Sequence, residues 1–327
     1  MHQSVVVGDL SEREILARIS ARTGIADTAI VGPGDDAAVL AVRGALVATT
    51  DTLVEGPDFR REWSDGYSLG WKSAAVNLAD IAAMGARPAA LLVALAVPND
   101  TPIDYVERIA DGLREACDEL APGCAVVGGD LTQTSALTVA VTALGSTEDR
   151  PAVLRSGARA GDTVAIAGDV GVAARGLDVL FDRFDGSAPR LDELGAEDRR
   201  AVERQLRPVP PLALGVAAAE AGATAMMDVS DGLALDAMRL ATASDVTIDL
   251  VWNALGDHPS TALRGGEDHA LLATFAGRIP DGFRAIGRVV EAGEAPLLVD
   301  GASYEGEAGW DPYRDWQAPG GPVGWSA

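Results

Sequence analysis

Lysine is almost missing from this chain: Lys72 is the only one, and the other basic side chains are arginines. A phosphate-binding P-loop needs a lysine directly after its glycines, and no GxxxxGK[ST] occurs, so any nucleotide must be held another way. Cysteine is equally sparse. Cys117 and Cys124 are too few for a disulfide framework or a zinc site of their own, and read as buried, reduced thiols of a cytoplasmic protein. The three histidines, His2, His258 and His269, read as incidental. Long apolar runs are lacking too: the longest, Ala89 to Val97, is about half a membrane span. The opening MHQSVVVGDLSERE has no basic n-region followed by an apolar h-region, so a soluble protein is expected. Positive charge is short overall, with 26 basic against 49 acidic residues and a net charge of -23. That balance speaks against nucleic acid or an anionic membrane as partner. It suits a protein that collects divalent cations, although a solubilising acidic surface explains most of the excess equally well.

What is present is a long, apolar chain. Its 327 residues, 48% of them hydrophobic, predict a well-buried globular protein of two domains. The stretch ALVATTD, residues 45 to 51, reads as a short buried strand ending on an acid, with Val47, Thr49 and Asp51 on one face. Oxygen-only side chains grouped at a strand end suit a hard cation such as Mg2+, and a polar turn is the alternative. Ser11 to Ser20 reads as a helix with Ser11 as cap and Glu14 completing a capping box. VGPGDDAAVL is a loop whose Asp35-Asp36 pair opens a strand.

Gly70 to Met84 carries two stripes. Trp71, Ala74, Ala75, Leu78 and Ala82 form an apolar one, and Ser73, Asn77 and Asp80 a short polar one that suits a cavity, a metal or a solvated face. Lys72 lies near that helix start and off the polar stripe. Ala125 to Val127 is a strand running into Gly128-Gly129-Asp130, where two glycines let backbone N–H groups approach an anion. The polar, turn-rich Thr147 to Gly161 marks the boundary between domains 1–147 and 148–327, and Arg155 within it is a candidate phosphate contact. In the second half Asp228-Val229-Ser230-Asp231-Gly232 again sets acids between a strand and a helix, with Ser230 or Asp231 as an N-cap the alternative. GGEDHALLATF repeats the pattern at 265 to 275. Five such clusters in both halves predict a cation-rich anion site to which both domains contribute.

Taken together these segments resemble thiamine-monophosphate kinases. The matching residues are GDDAAVL (34–40), TTDTLVEG (49–56), KSAAVNLADIAAMGARP (72–88), GGDLT (128–132), LRSGARAGD (154–162), DVSDGL (228–233), GGED (265–268) and GWD (309–311). They span nearly the whole chain in the family's order. The resemblance implies a two-domain α/β fold of the aminoimidazole-ribonucleotide-synthetase-like type, with N-terminal domains pairing into a β-barrel in a homodimer. It also implies ATP as phosphoryl donor, thiamine monophosphate as acceptor and several Mg2+ ions. Asp36, Thr49, Thr50, Asp51, Asp80, Asp130, Asp228 and Asp231 fall where the family binds Mg2+. Gly129, Asp130, Arg155 and Ser230 fall where it holds ATP, and Asp58, Glu267 and Trp310 at its thiamine-phosphate contacts.

Three positions depart from the family's pattern. GPDF stands for G-x-H-F at Asp58, GWDPY has Pro312 in place of His, and RPVPP ends in Pro211 rather than Arg. The first two lie in the implied acceptor pocket. The acceptor is a phosphate monoester with a second pKa of about 6, so no general base is needed, and direct in-line transfer is expected. The other readings are a relative such as selenophosphate synthetase, for which no reactive Cys stands by the N-terminal glycine-rich loop, and a non-catalytic nucleotide-binding protein.

Overall fold

The computed structural model describes residues 5–310 and divides the chain into two compact units. The first holds the residues up to Val153 together with Asp182–Arg190 and Leu206–Glu220. The second holds Leu154–Phe181, Leu191–Gln205 and the residues from Ala221 onward. A single cut at 147/148 would give the two returning segments to the second half.

The first unit opens with α1 (Glu12–Ser20), where the Glu14 N–H donates to the Ser11 hydroxyl and the Ser11 N–H to the Glu14 carboxylate. This is the expected capping box. A small antiparallel pair follows, β1 (Ala29–Val31) with β2 (Val39–Leu40). Then come β3 (Leu46–Val54), α2 (Gly66–Ala83), β4 (Arg87–Val97), α3 (Ile103–Leu120), β5 (Val126–Gln133) and β6 (Thr138–Ser146). The last four strands form a sheet ordered β3-β6-β4-β5, parallel only where α3 crosses from β4 to β5.

On α2 the apolar stripe Trp71, Ala74, Ala75, Leu78 and Ala82 is buried in the core shared with α3 and the sheet, as its spacing predicts. The helix starts earlier than that spacing suggests, because the Asp65 carboxylate accepts from the Ser68 N–H at 2.8 Å and caps it. Lys72 is therefore well inside the helix, and only 4% exposed, rather than at its start. Helices α2 and α3 meet backbone to backbone. A Cβ at Gly70 would run into the Ile109 carbonyl, and one at Gly112 into the Tyr67 carbonyl, so both places require glycine.

The chain continues through β7 (Thr163–Ala167), α4 (Val172–Phe184), α5 (Ala196–Leu206), α6 (Leu212–Glu220), β8 (Ala223–Val229) and α7 (Leu233–Ser244). Next are β9 (Val246–Leu250), α8 (Pro259–Arg264), β10 (Ala270–Phe275), β11 (Arg284–Glu291), β12 (Leu297–Val299) and β13 (Ala302–Ser303). The second unit is built on a seven-stranded sheet ordered β13-β12-β9-β11-β7-β10-β8, antiparallel except between β12 and β9. Its core joins Leu233, Ala237, Leu240 and Ala241 of α7 to Val229, Ile248 and Leu272 of the strands. The architecture is the mixed α/β one expected. Among the described residues no helix is long and apolar enough to cross a membrane.

Three local expectations change. Residues 45 to 51 are not a buried strand ending on its acid: β3 is an edge strand that runs on to Val54, half exposed, with Asp51 inside it. Gly128-Gly129-Asp130 does not follow the strand but forms the middle of it, in β5. Asp35-Asp36 opens no strand of the main sheet, since only Val39–Leu40 pairs, and with β1.

Candidate functional site

In the first unit the polar stripe of α2 faces the edge strand. Asp51 and Thr49 share a face of β3, and the Thr49 hydroxyl donates to Asp80 Oδ2 at 2.7 Å. The Asp51 N–H donates to Asn77 Oδ1 at 3.0 Å. Asn77 in turn donates to the Ser73 carbonyl at 2.9 Å, and Ser73 to that of Leu69 at 2.7 Å. Ser73 and Asn77 are thus buried rather than solvated, and Asn77 ties the helix to the strand while Ser73 bonds back within the helix. Thr50 points the other way: its hydroxyl donates to the Val141 carbonyl at 2.9 Å and accepts from Thr142 at 3.2 Å. A single ion cannot be shared by the hydroxyls of both threonines.

Asp130 is exposed on β5. The glycine before it has a packing reason, since a Cβ at Gly129 would collide with the Val93 carbonyl of the paired strand. Asp36 is exposed on the loop between β1 and β2, where its N–H donates to Asp35 Oδ1 at 2.9 Å. Asp58 closes the end of β3, accepting from the Val54 N–H at 2.8 Å.

The acids of the second unit are organised differently. Asp228, 3% exposed, lies in β8 rather than after it, with His269 Nδ1 at 3.1 Å from its Oδ2. Asp231 Oδ2 accepts from Arg239 at 2.6 Å, and Asp236 Oδ1 from the same guanidinium nitrogen at 2.7 Å. Neither Ser230 nor Asp231 caps α7. Gly232 occupies that position, and the buried Asp236 folds back to accept from the Asp231 and Gly232 N–H groups at 3.1 and 3.3 Å. Burial, then the charges of Asp228 and Asp231, push the Asp236 carboxyl up to about 6.

Glu267 and His269 both have positive φ, +66° and +53°. The Glu267 N–H donates to the Ser230 carbonyl at 2.7 Å, and its carboxylate accepts from Gln205. Asp268, between them, accepts from the Gly171 and Ala173 N–H groups and so holds the start of α4. The Trp310 N–H donates to the Asp231 carbonyl at 2.9 Å. Arg155 is exposed, and its carbonyl accepts from Ser244 at 2.8 Å. Asp311 and Pro312 of the GWDPY segment, and His2, lie outside the described residues.

Sequence reasoning missed Asp236, Arg239 and the role of His269. Arg239 carried a signal, being three residues after one acid and on the helix that follows another. His269 carried none, because its partner is far away in sequence. Among the described residues no three His, Cys, Asp or Glu side chains are grouped to hold an ion alone. The donors around Asp51 and Asp80 are nevertheless all oxygen, which suits Mg2+, an ion that usually takes one or two carboxylates and fills its shell with water and substrate phosphates.

Residues 34–147 match the family described as AIR synthase related protein, N-terminal domain. The thiamine-monophosphate kinase of Mycobacterium tuberculosis (strain CDC 1551 / Oshkosh) is 40% identical, over 96% of this chain and 95% of that protein. The crystal structure of the thiamine-monophosphate kinase from Stenotrophomonas maltophilia K279a superposes with a TM-score of 0.76 at 34% identity, over 93% of this chain and all 100% of that one. AaThiL complexed with AMPPCP and TMP superposes with a TM-score of 0.73 at 31% identity, over 92% of this chain and 98% of that one.

Proposed function

The chain belongs to the thiamine-monophosphate kinase family, and from that premise we propose that it transfers the γ-phosphoryl group of ATP to thiamine monophosphate, giving ADP and thiamine diphosphate. The observation that carries this reading is the near full-length likeness to a relative complexed with an ATP analogue and TMP. The acceptor phosphate is already largely ionised near neutral pH, so the protein's task is to bring two polyanions together in line rather than to remove a proton.

Gly129, Asp130, Arg155 and Ser230 contact ATP in this reading, and Asp58, Glu267 and Trp310 contact thiamine monophosphate. Asp51, Asp80, Asp130, Asp228 and Asp231, with the Thr49 hydroxyl and Asp36, hold Mg2+. Support for Asp51, Asp80 and Thr49 is their placement by one helix and one strand; support for Asp36 is its place in GDDAAVL. Thr50, on the opposite face of β3, would meet a different one of the several ions from Thr49. Bound Mg2+ would lower the repulsion between the phosphates and stabilise charge on the transferring group. Meanwhile Thr49 fixes one oxygen of Asp80, and Asn77 fixes the Asp51 backbone, so that the Asp80 carboxylate and the strand that carries Asp51 are set before substrate arrives.

We extend the reading to a cytoplasmic homodimer built on the four-stranded sheet. Its support is the face turned away from α2 and α3, where Leu46 is 55% and Leu92 36% exposed. Light scattering during gel filtration tests it, and a species of single-chain mass would overturn it.

Coupled ADP release, measured with and without thiamine monophosphate, tests the activity. Release that requires the acceptor is expected. ATP binding without acceptor-dependent release would favour a non-catalytic nucleotide-binding protein instead.

A further inference from the structure

We propose that His269 is a positioning residue for Asp228, holding one carboxylate oxygen so that the other is presented to the divalent cation that accompanies the nucleotide. The inference rests on the assignment of Asp228 as a cation ligand made above, and adds to it a residue that does not itself touch cation or substrate.

The geometry is specific. His269 is 6% exposed and its Nδ1 stands 3.1 Å from Asp228 Oδ2. An ionised carboxylate only accepts, so the imidazole carries its proton on Nδ1 and donates it there. The backbone is arranged for this contact. The His269 N–H donates to the Val229 carbonyl at 3.0 Å, fastening the residue beside the end of β8, and its φ of +53° is one that L side chains seldom adopt.

The neighbouring cation cannot take over the role. Arg239 is committed to Asp231 and Asp236, and among the described residues the imidazole is the donor that meets Asp228. Asp228, Asp231 and Asp236 also repel one another as like charges. A buried carboxylate in such company keeps one orientation only if a donor fixes it. Carboxylates that ligate metals are generally held in this way by a hydrogen bond from outside the ligand set, and losing the partner typically lowers metal affinity 10–100-fold.

The test measures Mn2+ affinity by electron paramagnetic resonance, with the protein saturated by AMPPCP, beside melting curves. His269→Asn places an amide N–H where Nδ1 now stands, and asparagine tolerates positive φ. His269→Gln and His269→Leu offer no donor at that point. The Asn variant is expected to bind Mn2+ within about threefold of the native protein, and the Gln and Leu variants about tenfold more weakly. One of the two donor-free variants suffices if the other does not fold. Unchanged affinity in Asp228→Asn overturns the ligand assignment, and this inference with it. Weaker affinity in Asp228→Asn but native affinity in the Gln or Leu variant overturns the inference alone. Equal losses of affinity and melting temperature in the Asn, Gln and Leu variants also overturn it, because His269 then acts by packing.

Discussion

In the first unit Asp51 is exposed on an edge strand, its N–H donating to a side-chain amide oxygen, and Asp80 is half-buried on α2, its carboxylate accepting from a hydroxyl. In the second, Asp228 and Asp236 are buried, and an imidazole and a guanidinium meet them. The contrast follows from solvation. An exposed carboxylate stays hydrated and keeps its charge at little cost. A buried one must be compensated by a strong donor or an opposite charge, or else change its protonation. Function and stability should therefore separate in the first unit and be entangled in the second.

The sharpest way to break that contrast is Asp51→Asn, with Asp130→Asn beside it. Turnover is expected to fall about 10²–10³-fold, the scale of losing one preorganised electrostatic contact, while the melting temperature stays as it was. Rates near native in saturating Mg2+ would remove both residues from the site. In the second unit Arg239→Leu should do the reverse. It strands Asp231 and Asp236 without their shared cation, and chemical denaturation should show a loss of about 2 kcal/mol, the guanidinium's partial exposure keeping the figure below that of a fully buried pair. An unchanged unfolding midpoint would mean that the network is less costly to break than its burial suggests.

A third measurement sharpens the same point by pH. The Asp236 carboxyl is raised to about 6 in the folded protein, above its value of about 3.9 in an unfolded chain. Between those values the folded state binds the extra proton, so this group's contribution to stability is full below about pH 4 and is lost as pH rises through 6. The melting-temperature advantage of the native protein over Asp236→Asn should accordingly shrink from pH 4 to pH 7. An advantage that grows over that range would reverse the assignment. The smallest effect is expected at Trp310, whose backbone is tied to the Asp231 carbonyl. The thiazolium ring of the acceptor is a planar cation, and an indole contact is worth about 0.5–2 kcal/mol. Trp310→Ala should raise KM for thiamine monophosphate roughly 3- to 30-fold and leave KM for ATP and kcat little changed. Equal losses for both substrates with a lower melting temperature would make Trp310 a packing residue.

Much of this arrangement was legible in the sequence. The stripe Trp71, Ala74, Ala75, Leu78, Ala82 marked the buried face of α2, and Asn77 and Asp80 of the polar stripe marked the face that meets β3. The ends of β3 and β5 were not legible. Thr52 to Val54 and Gly128 to Gln133 carry no apolar run to mark them as strand, because an edge strand needs only a backbone to pair. The Asp228–His269 pair was hidden for another reason: the two residues are 41 apart in sequence and are joined by the pairing of β8 with β10. Local pattern carries periodicity and caps well, and carries nothing about which strand lies beside which.

Helix α2 is pressed against α3 through Gly70 and Gly112 on one side, and its Asn77 and Asp80 engage the edge strand on another. It behaves as a lever whose two arms cannot be adjusted separately. A methyl group added at Gly70 has no room, so the rod must tilt or slide, and Asp80 must travel with it. Displacements of about 1 Å at reacting groups can cost about a hundredfold in rate. Substitutions at these glycines, remote from any carboxylate, would then be felt as lost chemistry in a protein that still folds, and variation at the helix crossing is restricted by the demands of the edge strand as much as by packing.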